Sequence, residues 1–117
     1  MTDPSVVLVV EDEALILLNT IDELEQAGLT VLNATTARRA LQLLETRPDI
    51  THLFSDIDLP GGVDGLALAE TVRMRWPDVR ILLTSGHMLP STVPVPPGTV
   101  FFPKPYDLFE VRASLAA

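Results

Sequence analysis

Two aspartates stand one residue apart at the end of an apolar run in "FSDIDLPGGVDG", residues 54 to 65, followed by a proline and two glycines. An aspartate carboxylate is a competent nucleophile toward phosphorus, and carboxylates are common oxygen ligands of Mg²⁺. Asp56 or Asp58 could therefore be a reacting group, the pair could clamp a metal, or the stretch could be an acidic turn. Other apolar runs end on similar material. Glu11 and Asp12 follow "VVLVV", Thr84 and Ser85 follow "VRILL", and Lys104 follows "TVFFP".

Positioning these residues together requires a particular arrangement of elements. Val6 to Val10, Thr30 to Ala34, His52 to Ser55, Val79 to Leu83 and Thr99 to Phe102 read as five strands, nearly unbroken in hydrophobicity, as suits strands covered on both faces. Between them, Ala14 to Ala27 places Leu15, Leu18, Ile21 and Leu24 at helical spacing and is closed by Gly28. Thr36 to Glu45 and Leu66 to Met74 are similar; Trp76 and Pro77 end the latter, and Asp107 can cap a last short helix. The expected fold class is α/β, a doubly wound five-stranded parallel sheet with flanking helices. Right-handed crossovers then bring every strand's C-terminal end to one edge, where open sheets of this class bind ligands. Pro90, Pro94, Pro96 and Pro97 interrupt the stretch from Ser85 to Gly98, so the fourth helix should be missing or vestigial.

At that edge Glu11, Asp12 and Asp56 would meet Thr84 and Lys104. Three close carboxylates repel one another unless a cation joins them, and Mg²⁺ is suited to one or two carboxylates, a backbone oxygen and waters. Lys104 would act as a point charge and Thr84 as a hydrogen-bond donor toward the same incoming group. The set describes a phosphoryl site, in which Asp56 attacks while cation and lysine stabilise charge. Plainer readings stand beside it: Asp12 could be only a helix N-cap, and Thr84 could only end a strand. His52, at a strand entrance, is structural or exposed, whereas His87 should border the crevice.

The pieces "VVLVVEDE", "LFSDIDLP" with "DG" behind it, "ILLTSG" and "FFPKPY" resemble, in order and spacing, the response-regulator receiver domains of two-component signalling, a flavodoxin-like (CheY-like) superfamily. The resemblance implies the strand order 2-1-3-4-5. It implies that Asp56 is the phosphoacceptor, that Glu11, Asp12, Asp56 and the backbone carbonyl of Asp58 bind Mg²⁺, that Thr84 is the switch hydroxyl, and that Lys104 binds phosphate. Phe101 falls at the switch-aromatic position, and the Lys104–Pro105 bond is expected to be cis. Asp58 and Gly86 lie where side chains tune dephosphorylation, and His87, next in the loop, could substitute for Gly86. The implied partners are a cognate histidine kinase or phosphotransfer protein and a downstream protein. "PGGVDG" is one residue longer than usual, as in receivers that occur singly or attached to hybrid kinases.

The 117 residues, 47% hydrophobic, suit one domain spanning 1–117. A formal charge of −8 without any Lys/Arg cluster argues against direct nucleic-acid binding. No cysteine is present, so thiolate chemistry is excluded, and the start lacks a signal peptide or membrane span. A cytoplasmic location is expected. Two rival functions share some of these features: a haloacid-dehalogenase-like phosphohydrolase, whose paired aspartates "FSDIDLP" superficially fits, and a receiver fold that only docks, without phosphorylation.

Overall fold

The computed structural model describes residues 4–61, 64–86 and 95–116. Its strands are β1 (Val6–Val10), β2 (Thr30–Ala34), β3 (His52–Asp56), β4 (Arg80–Ser85) and β5 (Val100–Pro103). The helices are α1 (Ala14–Gln26), α2 (Ala37–Thr46), α3 (Gly65–Arg75) and α4 (Leu108–Ala116). All strand pairs are parallel, in the order β2-β1-β3-β4-β5, as the resemblance implies.

Alternation along the strands divides the core in two. Val6, Leu8 and Val10 of β1 point to the face that carries Ala40 and Leu44 of α2 and Leu68 and Val72 of α3. Val7 and Val9 point to the opposite face, with Phe54 and Phe102, against Leu17 and Leu24 of α1 and Val111 and Leu115 of α4. Every residue of β1 is buried, which explains why "VVLVV" shows no polar alternation.

Helix α1 starts at Ala14 as expected but differs from the sequence expectation in its face. Leu15 and Leu18 are exposed, at 84% and 62%, and the buried stripe is Leu17, Thr20 and Leu24. A run such as "ALILL" offers apolar residues in several directions, so periodicity alone could not choose the inward face. Glu13, not Asp12, occupies the N-cap and makes no side-chain capping bond, which leaves the Asp12 carboxylate uncommitted to the helix. Gly28, at φ 91°, follows the C-cap Ala27, and Leu29 N–H returns to the Leu24 carbonyl. The other helix starts are capped by side chains: Thr36 accepts from Arg39 N–H, Asp64 from Ala67 N–H and Asp107 from Phe109 N–H.

Strands β3 and β4 reach further than their apolar runs. Asp56 and Thr84 are themselves strand residues, paired across the ladder, and Ser85 pairs with Pro103. Neighbouring backbones supply their hydrogen bonds whatever the side chain, so a polar residue can close a strand that hydropathy ends one position earlier. Of the connection after Ser85, the described residues 86 and 95–99 contain no helix; residues 87–94, where the missing-helix expectation also falls, lie outside the described residues.

The "DG" behind the acidic pair has a steric reason. Gly65 N–H donates to the Ile57 carbonyl at 2.8 Å, pressing the start of α3 onto the end of β3. A Cβ at position 65 would overlap the Asp56 carbonyl oxygen and come within 2.7 Å of Ile57 Cα. Both obstacles are backbone, so neither can swing aside. Gly65→Ala should therefore destabilise the fold by about 1–3 kcal/mol, read as a lower urea midpoint at unchanged slope. A loss under about 0.5 kcal/mol would contradict this packing.

Candidate functional site

Parallel pairing sets the ends of β1, β3, β4 and β5 side by side, and their closing residues build the site. Glu11 continues the ladder from β1, its N–H donating to the Ala34 carbonyl at 3.0 Å. Glu11 and Asp56 are each only 3% exposed, while Asp12 is exposed. One carboxylate oxygen from each of Glu11, Asp12 and Asp56 lies within 4.8 Å of the others, a spacing that a single cation can bridge. These oxygen donors, partly open to water, fit Mg²⁺ chemistry.

Lys104, the only lysine in the chain, reaches into this group from just past β5. Its Nζ lies 2.8 Å from Asp56 Oδ2 and 2.8 Å from Glu11 Oε1. Burial pulls the ammonium pKa down, but the hydrogen bonds and charges of Asp56 and Glu11 outweigh it, so the net shift is upward. Burial raises the Glu11 pKa, with the Asp56 charge adding to it and the Lys104 and Glu13 N–H contacts only partly offsetting it. Three carboxylates facing one ammonium leave two negative charges uncompensated, the condition a divalent cation relieves.

The sequence-derived residues Thr84, Ser85 and Asp58 complete the surroundings. The Thr84 hydroxyl is buried and has no hydrogen-bond partner among the described residues. Leaving such a group unpaired is costly unless something else engages it, so it marks a place where a ligand oxygen fits. The backbone N–H of Asp58 donates to Asp56 Oδ1 at 3.0 Å, but its carboxylate turns the other way and accepts from Ser85 Oγ at 2.9 Å. The two aspartates of the opening stretch are thus not a symmetrical clamp. A paired-acid phosphohydrolase would need both side chains in the crevice, and only Asp56 is there. Gly61, at φ 89°, turns the loop beyond; Gly62 lies outside the described residues.

Two supporting residues escaped the reading of the sequence. Thr20, 1% exposed on α1, bonds to the Tyr106 hydroxyl at 2.7 Å. The Tyr106 ring stands edge-on to Phe54 at 5.2 Å, and Phe54 contacts Phe102 likewise at 6.2 Å. Together with the Lys104 N–H to Ser85 carbonyl bond, these contacts hold the segment that carries the ammonium; its Lys104–Pro105 peptide is cis, as expected. The available signal was one threonine in the same helical register as Leu17 and Leu24. Phe101 is half-buried and packs against the α2–α3 side of the core. His52 is buried at the far end of the sheet with Nδ1 2.8 Å from Thr51 Oγ1, a structural role; His87 lies outside the described residues.

With this geometry in place, the comparisons with known proteins agree on one class. Residues 7–94 match the family model of the response regulator receiver domain, and the chain belongs to that family. It is 33% identical over 112 residues to the DNA-binding transcriptional regulator NtrC of Escherichia coli (strain K12), covering 92% of this chain and 23% of NtrC. The sensor kinase CckA of Brucella abortus (strain 2308) is 26% identical over 119 residues, 98% of this chain and 12% of that protein. The chain thus spans under a quarter of the length of these curated relatives. In fold it matches the CheY-like response regulator receiver domain protein from Methanospirillum hungatei JF-1 with a TM-score of 0.87 at 24% identity, covering 96% of this chain and 90% of that one. The protein is a receiver domain of two-component signalling, homologous to those of response regulators and hybrid kinases. No described helix is long and apolar enough to cross a membrane.

The doubly paired ammonium has a measurable signature. Selective ¹³Cε labelling of lysine gives one resonance, and its titration midpoint in metal-free buffer should lie above the ordinary 10.5. Because the folded pKa is raised, the stabilisation from the pair is present below pH 10.5 and is lost as pH climbs through the folded value. Asp56→Asn should lower the midpoint; one at or below 10.5 in the unmodified protein would contradict the double pairing.

Proposed function

We propose that Asp56 accepts a phosphoryl group from a phosphohistidine of a histidine kinase or phosphotransfer protein. On this reading residues 1–117 act as one cytoplasmic receiver domain that controls a downstream protein or passes the group on, without contacting nucleic acid or membrane directly. The observation that carries it is the gathering of Glu11, Asp12 and Asp56, of which Glu11 and Asp56 share a single ammonium, with charge left for a divalent cation.

Glu11, Asp12, Asp56 and the backbone carbonyl of Asp58 would hold Mg²⁺, which when bound supplies positive charge to the phosphoryl oxygens. An Asp56 carboxylate oxygen attacks phosphorus while the bond from phosphorus to the donor imidazole nitrogen breaks. The electron pair of that bond stays on the imidazole, which takes up a proton. Lys104, already placed 2.8 Å from the attacking carboxylate, neutralises charge on a transferring oxygen. The unpartnered Thr84 hydroxyl donates to another and so draws the end of β4 toward the modified aspartate. The domain thereby assists its own phosphorylation and, by admitting water to the same phosphorus, its dephosphorylation. It does not turn over an external substrate.

Incubation with Mg²⁺ and a small phosphodonor, followed by intact-mass measurement, tests this reading. The protein should gain one phosphoryl group, with none gained by Asp56→Asn or after chelation of the metal, and a slower gain by Lys104→Ala. No adduct would overturn the mechanism in favour of a docking module; repeated turnover of a generic phosphatase substrate would favour a hydrolase.

A further inference from the structure

Asp58 is joined to its surroundings at both ends, and the second contact is not required by phosphoryl transfer. Its N–H holds Asp56 Oδ1 at 3.0 Å, so the backbone of this exposed aspartate touches the Glu11–Asp12–Asp56 group directly. The Asp58 carboxylate nevertheless faces β4, where Ser85 Oγ donates to Oδ2 at 2.9 Å. Ser85 is well placed to hold it. The residue is 4% exposed, closes strand β4, and has its carbonyl fixed by the Lys104 N–H at 2.9 Å.

We infer that the Ser85 hydroxyl is a positioning group for the cation site: it keeps the Asp58 carboxylate against β4 and so withholds a fourth carboxylate from Glu11, Asp12 and Asp56. The inference rests on the phosphoryl-site reading and refines it. Divalent affinity in oxygen sites depends on the number of charged ligands and on how rigidly they are held. A fourth carboxylate would bind the cation more tightly and would repel the incoming phosphoryl oxygens. Ser85 therefore sets the charge of the crevice without touching the reacting atoms.

The test is a Mg²⁺ titration of the full chain followed by ¹³C-carboxyl NMR, in the wild type, Ser85→Ala, Asp58→Asn and the double variant. Ser85→Ala should bind Mg²⁺ about fivefold more tightly. The Asp58 carboxyl resonance should respond to the ion in that variant and not in the wild type. The double variant should lose the gain, and Ser85→Thr, which keeps the hydroxyl, should retain wild-type affinity. Equal or weaker binding by Ser85→Ala, or a gain that persists in the double variant, would overturn the inference alone. A wild-type protein that binds no Mg²⁺ would overturn the phosphoryl-site reading with it.

Discussion

The Lys104 ammonium, shared at 2.8 Å between Glu11 and Asp56, is the contact on which the remaining site geometry depends. Parallel pairing forces the ends of β1 and β3 together, and with them two buried carboxylates that would otherwise repel. One ammonium compensates part of that charge. What remains uncompensated is the condition that a divalent cation would relieve.

Much of the surrounding structure restrains the parts that meet there. The Gly65 contact holds α3 against the carbonyl end of β3, so the loop carrying Asp58 cannot drift from Asp56. Thr20, Tyr106 and the two phenylalanines hold the segment after β5 against α1 and the sheet, which fixes where Lys104 enters. Ser85 sits between these two restraints, bonded through its carbonyl to Lys104 and through its hydroxyl to Asp58. The buried hydroxyl of Thr84, next to it in the chain, lacks a partner among the described residues. A rigid frame around one unsatisfied donor suits a site whose state changes when a ligand oxygen arrives.

Phosphorylation would thus act on an already divided set of groups. Asp56 would react and Glu11 and Asp12 would hold the ion, while the Asp58 carboxylate is bonded to Ser85 of β4. The same division separates this site from a paired-acid hydrolase, in which both aspartates must serve the substrate. Ser85, which bonds Asp58, belongs to the same strand as the proposed switch threonine.

The strands were legible in the sequence because residues buried on both faces are apolar throughout, and β1 and β2 match their expected limits. The residues gathered at the sheet edge were legible because each stands where an apolar run ends. Hydropathy could not choose the inward face of α1, since "ALILL" is apolar in too many directions, and only packing against the sheet selected Leu17, Thr20 and Leu24. Nor could local sequence reveal the Thr20–Tyr106 bond, 86 residues apart, or the Ser85–Asp58 bond, 27 apart. In "FSDIDLPGGVDG" the residue types fixed which chemistry was available. That Asp56 meets Glu11, Asp12 and Lys104 while Asp58 meets Ser85 was decided by the tertiary fold, which alone brings hydrogen-bond partners from distant strands together.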